Sequence, residues 1–373
     1  MKLIELNKED FYKFASRQET YSFYQTREWA EVKRHEGWHT YFLGLEDKGK
    51  IEAATIILSR ELPIIKKRIF YSPRGYIINY KGIEIMKTFT ENIKKFVEDK
   101  NAIFIRIDPY LPFKKYSPVK EETSTFNKYL DTLRALGYIR NEENLTKPNV
   151  KYEIRLSKKL IDNFDPKIKD KILDNERKGI HVINLPIEKV DKTIDIIYKS
   201  NSRIDYTDSD IKDLYLVFKQ NDMIDINLVV MDVDKFIENA KGQKESNIAA
   251  DFKYSHGNTA ILGCSVDVYH NGEVHNLCTA IVDRFLDTKA MYNLHYGNMV
   301  EAYKKGYKKY NLYGYSFDPK DEIKLYSEKL SAKRVELVGE YDLVLNEKLY
   351  NLYKWNSRRK GKRITDFKKK SID

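Results

Sequence analysis

Residues 259–279 read TAILGCSVDVYHNGEVHNLCT, and this stretch decides the fold. Thr259–Tyr269 and Glu273–Thr279 are apolar-rich runs on either side of Asn271-Gly272, a pair that enters the positive-φ turn of a tight β-hairpin at little cost. Downstream, a helix is expected from about Met291 to Lys305, stopped by Gly306, followed by a strand over Tyr307–Tyr313 that stops at Gly314. The first half of the chain has the same order. Ala53–Leu58 reads as a strand, and beyond the basic run Lys66, Lys67, Arg68 a second one lies near Ile69–Tyr71. Met86, Phe89, Ile93, Phe96 and Val97 then recur at helical spacing, and Ala102–Ile107 is a short strand ended by Asp108-Pro109. Hairpin, helix and strand, twice over, imply a duplicated α/β domain.

Between the copies the sequence reads as mostly helical, over roughly Ser124–Leu136, Pro166–Lys178, Ile187–Ser200 and Ser209–Gln220. Lys147-Pro148-Asn149 reads as a turn and a domain boundary. With 373 residues there is chain for two ordinary cores. The net charge of +11 suits a protein that meets polyanions, although a lysine-rich surface alone would give it too. Two cysteines, Cys264 and Cys278, lack the spacing of a disulfide framework or a zinc site, and no metal is expected. The N-terminus lacks the apolar core of a signal peptide and no run is long enough to span a bilayer, so a cytoplasmic location is expected. Helix 166–178 is lysine-rich on its outer positions, as a solvated face or an RNA contact would be. The tail, Arg358 to Arg363 and then Lys368–Lys370, is basic; tRNA, the anionic inner face of a membrane, and plain solubility are its three readings.

Five motifs in order carry a family resemblance. The stretch from Ser22 to Lys33, SFYQTREWAEVK, resembles the opening motif of the Fem family, which builds peptidoglycan cross-bridges. Tyr71-Ser72-Pro73-Arg74-Gly75 with Asn79-Tyr80 resembles its second motif, and Arg106-Ile107-Asp108-Pro109 its third. Gly306 to Gly314 and Val338 to Leu343 are similar to the closing motifs. The resemblance implies two tandem acetyltransferase-like (GNAT) domains, residues 1–147 with 337–373 and residues 148–336. No coiled-coil arm is expected, because no long heptad run occurs. The activity implied is transfer of an amino acid, often Gly, Ala or Ser, from aminoacyl-tRNA to the stem-peptide amine of a peptidoglycan precursor, either UDP-MurNAc-pentapeptide or lipid II. No metal or organic cofactor is implied.

That reaction sets three tasks: hold the precursor's pyrophosphate, take a proton from the amine, and stabilise the oxyanion. By the resemblance, Lys33 would hold a phosphate, with a surface lysine as the alternative. Arg203 resembles the second phosphate ligand; a guanidinium can engage two oxygens at once. Trp29, Tyr71, Arg74 and Tyr206 are assigned to substrate binding on the same grounds. Asp108 would orient the ammonium or help to deprotonate it; an Asp-Pro turn is the alternative. Lys329 would stabilise the transition state. The family usually has Gly-Leu-Tyr-x-Phe-Lys-x-Gly-Phe-Gly here, whereas this chain reads Lys324-Leu325-Tyr326-Ser327-Glu328-Lys329-Leu330-Ser331-Ala332-Lys333. The Phe is Glu328, a candidate partner for the Lys329 cation, and the glycines are gone. Val274 to Ala280 lacks the family's tyrosines, Asn311 replaces a common Asp, and His270 and His275 flank the hairpin. The second half is therefore expected to be the more divergent.

Two other classes compete. An acyltransferase using coenzyme A would need an Arg/Gln-x-x-Gly-x-Gly/Ala loop, and none is found. A non-catalytic relative that binds tRNA or precursor would explain the altered stretch around Lys329, but Lys33, Asp108 and Arg203 are intact.

Overall fold

The computed structural model describes residues 1–62, 65–80, 82–116, 121–123, 127–143, 145–185, 190–200, 202–205, 209–242, 244–314 and 322–366. The chain divides into two units, Met1–Val150 with Val335–Asp373, and Lys151–Arg334. In the first unit β1 (Lys2–Glu5), α1 (Lys8–Ala15) and α2 (Arg27–His35) precede β2 (His39–Asp47), β3 (Lys50–Leu62), β4 (Lys67–Ser72) and β5 (Ile77–Ile78). Then come α3 (Ile83–Glu98), β6 (Ala102–Ile107), β7 (Pro112–Tyr116), β8 (Glu121–Thr123), α4 (Asn127–Ala135) and β9 (Tyr138–Asn141).

The second unit opens with β10 (Val150–Arg155), α5 (Pro166–Arg177), β11 (Ile180–Asn184), α6 (Val190–Lys199), β12 (Ser202–Asp205), α7 (Ile211–Lys219) and β13 (Ile224–Asp232). It continues through α8 (Val233–Asn239), α9 (Lys244–His256), β14 (Thr259–His270), β15 (Glu273–Ile281), α10 (Ala290–Lys304), β16 (Lys309–Gly314), α11 (Glu322–Lys329) and β17 (Lys333–Leu337). The chain returns to the first unit at Val335, within β17, and continues through β18 (Glu340–Val344) and α12 (Glu347–Lys360).

The sheet of the first unit runs β1-β2-β3-β4-β6-β18-β9, and that of the second runs β11-β13-β14-β15-β16-β10. Each is built on the same unit. β3 and β4 pair antiparallel, α3 crosses over, and β6 returns parallel to β4; β14, β15, α10 and β16 repeat this. The duplication read from the sequence is therefore a duplication of topology. Asn271 and Gly272 both have positive φ, the conformation that the expected hairpin turn demands.

Both faces of the first sheet are covered, which is why β3 is apolar on both sides rather than alternating. Ala53 and Ile57 face Phe89, Ile93 and Val97 of α3, whereas Ile56 and Leu58 belong to the core with Phe11, Ala30, Tyr350 and Tyr353. In the second unit Val229, Met231, Leu262 and Leu294 share a core. The four helices read between the copies are present as α4, α5, α6 and α7, but the reading missed the strands β10 to β13 that lie among them. Several are short and carry polar residues, so their sequences give no clean period; β13, the exception, is buried along nearly its whole length.

Candidate active site

The motifs of the first unit converge on one buried polar cluster. Thr26 caps α2 by accepting from the backbone N–H of Trp29, fixing the entry of the chain into the helix. The residue before that cap, Gln25, is fully buried and acts as a clamp. Its amide nitrogen donates to Pro73 O at 2.7 Å and Ile56 O at 3.2 Å, and its oxygen accepts from Ile56 N at 2.7 Å. Gln25 thus ties the opening motif to the Tyr71–Gly75 turn. Gly75 has no room for a side chain: a Cβ would lie 1.9 Å from Ser72 Oγ.

That turn presents Arg74 to Asp108, the residue that follows β6. Asp108 Oδ1 accepts from the Arg74 backbone N–H, and Arg74 Nη1 lies 3.5 Å from Asp108 Oδ2. Arg74 Nη2 donates to Pro148 O at 2.6 Å. Among the described residues, Asp108 Oδ2 has no hydrogen-bond donor although it is buried. Burial pushes the Asp108 carboxyl up to about 6, against the lowering by Arg74 and Lys147 and with further raising by Glu340.

Lys33 is not a surface lysine. It is fully buried, its Nζ donates to Glu36 Oε2 at 2.9 Å, and it lies 4.7 Å from the centroid of the Trp29 ring. Lys147, a residue without an assigned role in the sequence reading, sits beside it. Its Nζ is 3.9 Å from the Tyr24 ring centroid and 4.9 Å from that of Trp29. The turn at 147–149 is therefore buried and belongs to this cluster. It is pinned from far away in sequence: Glu340 Oε1 accepts from the backbone N–H groups of Thr146 and Lys147. Arg106 supports the same corner with two parallel hydrogen bonds of 2.7 Å to Asp342, and its Nη1 is 3.2 Å from Glu340. Lys33, Trp29, Arg74 and Asp108 thus meet in one region, and Tyr71, fully buried in β4, lies opposite Arg106 in the ladder.

The expected residues of the second unit fare differently. Arg203 lies in β12 opposite Ala280 of β15; its side chain lies outside the described residues, as do Tyr206 and Lys368–Lys370. Lys329 is the last, exposed residue of α11, and its carbonyl accepts from Asp165 N at 2.8 Å. Glu328 does not pair with it as expected. One helical turn back, Lys324 Nζ stands 4.0 Å from Glu328, the ordinary i,i+4 arrangement, while neighbours in a helix point apart. Among the described residues Lys329 has no ion-pair partner.

The second unit also holds a cluster that the sequence reading missed. Asp267 of β14 is buried and accepts from Asn276 at 2.9 Å, Asn298 at 2.7 Å, Tyr310 at 2.8 Å and Ser265 at 3.2 Å. His295 extends it through Tyr310 Oη at 2.9 Å and Thr279 Oγ1 at 3.3 Å, and burial lowers its pKa to about 3, keeping it neutral. His275 Nδ1 is 2.5 Å from Tyr313 Oη, so a tyrosine hydroxyl is present on β16 where β15 lacks one. Among the described residues no group of three or more His, Cys, Asp or Glu could hold a metal ion. Nor is any described helix long and apolar enough to cross a membrane.

Comparison with known proteins places the chain in a family. Residues 6–250 and 237–358 match the FemAB family. The chain is 23% identical over 413 aligned residues to aminoacyltransferase FemA of Staphylococcus epidermidis, covering 95% of this chain and 98% of that protein. Its fold is similar to the crystal structure of FemX, with a TM-score of 0.76 at 16% identity, covering 94% and 99% of the two chains. A tandem GNAT protein from the clavulanic acid biosynthesis pathway shares the fold more distantly, with a TM-score of 0.51 at 8% identity over 91% of this chain and 97% of that one.

Proposed function

The chain belongs to the FemAB family and is an aminoacyltransferase, and on that premise we propose that it moves Gly, Ala or Ser from its tRNA to the stem-peptide amine of a peptidoglycan precursor, for interpeptide bridge formation. The observation that carries this reading is the buried Asp108 carboxylate, whose Oδ2 lacks a hydrogen-bond donor beside two cations. A free lysine-type amine, with a pKa of about 10.4, is mostly protonated at neutral pH and cannot attack. A desolvated carboxylate with an open acceptor position orients that ammonium and takes its proton as the amine nitrogen bonds to the ester carbonyl. The tetrahedral intermediate then collapses, the C–O bond to the tRNA ribose breaks, and the ribose oxygen takes the second proton that the attacking nitrogen sheds.

Lys33 is assigned to a phosphate of the precursor, and so, on the strength of the resemblance alone, is Arg203. For Lys33, a phosphate would replace Glu36 as the partner of a cation already held against Trp29. Lys329, exposed and without an ion-pair partner among the described residues, is assigned to the oxyanion, where a good donor contributes about 3–4 kcal/mol.

The test mixes purified protein with UDP-MurNAc-pentapeptide or lipid II and a pool of tRNAs charged with labelled amino acids. Label is expected on the peptide, and the amino acid that moves names the donor. Transfer should collapse in Lys329→Met. If both acceptors bind and neither gains label, the transferase reading of this chain is wrong and a binding role replaces it.

A further inference from the structure

Helix α12 shows two unlike faces. Tyr350, Tyr353 and Ser357 are buried, the tyrosines against Phe104 of the sheet. On the other side, Lys348, Leu352, Trp355 and Arg359 follow one another at intervals of four, three and four residues, so they form a single stripe. Leu352 is 56% exposed and Trp355 57%. Arg359 lies over the Trp355 ring, with Cζ 5.5 Å from its centroid. Residues 347–363 carry seven cations against one carboxylate, Glu347.

We propose that this outward stripe of α12 docks the protein on an anionic lipid bilayer, with Leu352 and Trp355 entering the interfacial layer and the surrounding cations meeting the headgroups. A leucine and a tryptophan flanked by lysine and arginine are the chemistry of an interfacial helix. RNA would use the cations and could stack a base on a tryptophan, but it has no use for an exposed leucine, and Arg359 already lies against the Trp355 ring. The inference rests on the proposed function in one respect: docking supplies the lipid-linked form of the acceptor to the enzyme in preference to the soluble form.

The experiment needs no acceptor. Full-length protein is mixed with phosphatidylcholine vesicles, with and without phosphatidylglycerol, and floated. Binding is expected only with phosphatidylglycerol, and added salt should release it. Tryptophan emission should move to the blue on binding. Trp29 and Trp38 are 1% and 2% exposed, so the shift reports Trp355. Arg359→Gln should weaken partition about fivefold and Leu352→Ser about tenfold, with transfer to UDP-MurNAc-pentapeptide unchanged in both. The proposal is overturned if phosphatidylglycerol vesicles are not bound, or if the Leu352→Ser, Trp355→Ser double variant binds them as the wild type does. It is equally overturned if Arg359→Gln weakens tRNA retention and leaves vesicle binding intact. Transfer to the soluble acceptor without vesicle binding refutes docking alone; vesicle binding without transfer to either acceptor refutes the transferase reading alone.

Discussion

Each unit has a buried aspartate in its polar cluster whose carboxyl burial raises: Asp108 and Asp267 are both pushed from 3.8 up to about 6. Their company differs. Asp267 receives hydrogen bonds from four neutral side chains, which leave its carboxylate satisfied on both oxygens. Asp108 is held by one backbone N–H and by the nearby charges of Arg74 and Lys147, and it keeps one acceptor oxygen undonated. A closed network of neutral donors holds strands together; an incompletely bonded carboxylate among cations is suited to exchanging partners with a substrate. Two copies of one topology thus carry polar clusters of different make-up and at different places, Asp108 just after β6 and Asp267 within β14.

The contrast can be broken most directly at Asp108. Asp108→Ala should reduce single-turnover transfer by the folded fraction by about 10²–10⁴. A variant that transfers normally would remove Asp108 from the chemistry. Asp267→Ala should do the reverse. It strands the donors of Asn276, Asn298 and Tyr310, and should cost about 2–3 kcal/mol in urea unfolding, with transfer by the folded fraction retained.

The pH dependence sharpens the same comparison. Transfer should fall as pH drops through about 6, and Asp108→Asn should abolish that acidic limb together with most of the rate, whereas Asp267→Asn should leave the limb in place. Stability has the opposite sign. Both folded values lie above the unfolded 3.8, so the folded state binds more protons between about 4 and 6, and these two groups make stability fall as pH rises through that window. The smallest effect is expected at Lys147. Lys147→Met should raise KM for the precursor about tenfold and, because Lys147 helps to lower the Asp108 carboxyl, shift the acidic limb of transfer to higher pH.

The parts of this arrangement that were legible in the sequence were local. The Asn271-Gly272 hairpin, the helical period of α3 and the stop at Asp108-Pro109 are each written within a few residues, and they located both copies and one end of the site. Lys147 was not legible, because a Lys-Pro-Asn turn reads as a linker until Glu340, nearly two hundred positions away, is seen to hold its backbone. The Asp267 network escaped for the same reason: its members come from β14, β15, β16 and α10, and only packing brings them together. Glu328 misled because adjacency in sequence suggested a pair that helix geometry forbids.

The discontinuity of the first unit has a consequence for how the protein is made. Arg106 is buried against Asp342, which leaves the ribosome 236 residues later. At roughly 5–20 residues per second, that guanidinium waits on the order of ten to fifty seconds for its carboxylate. All of Lys151–Arg334 is synthesised in the meantime. A nascent chain halted anywhere before residue 342 therefore carries a first sheet without β18, with a cation where the core should close. Premature termination near the C-terminus would cost the molecule its N-terminal unit, and quality control should treat such products as unfolded rather than as merely shortened.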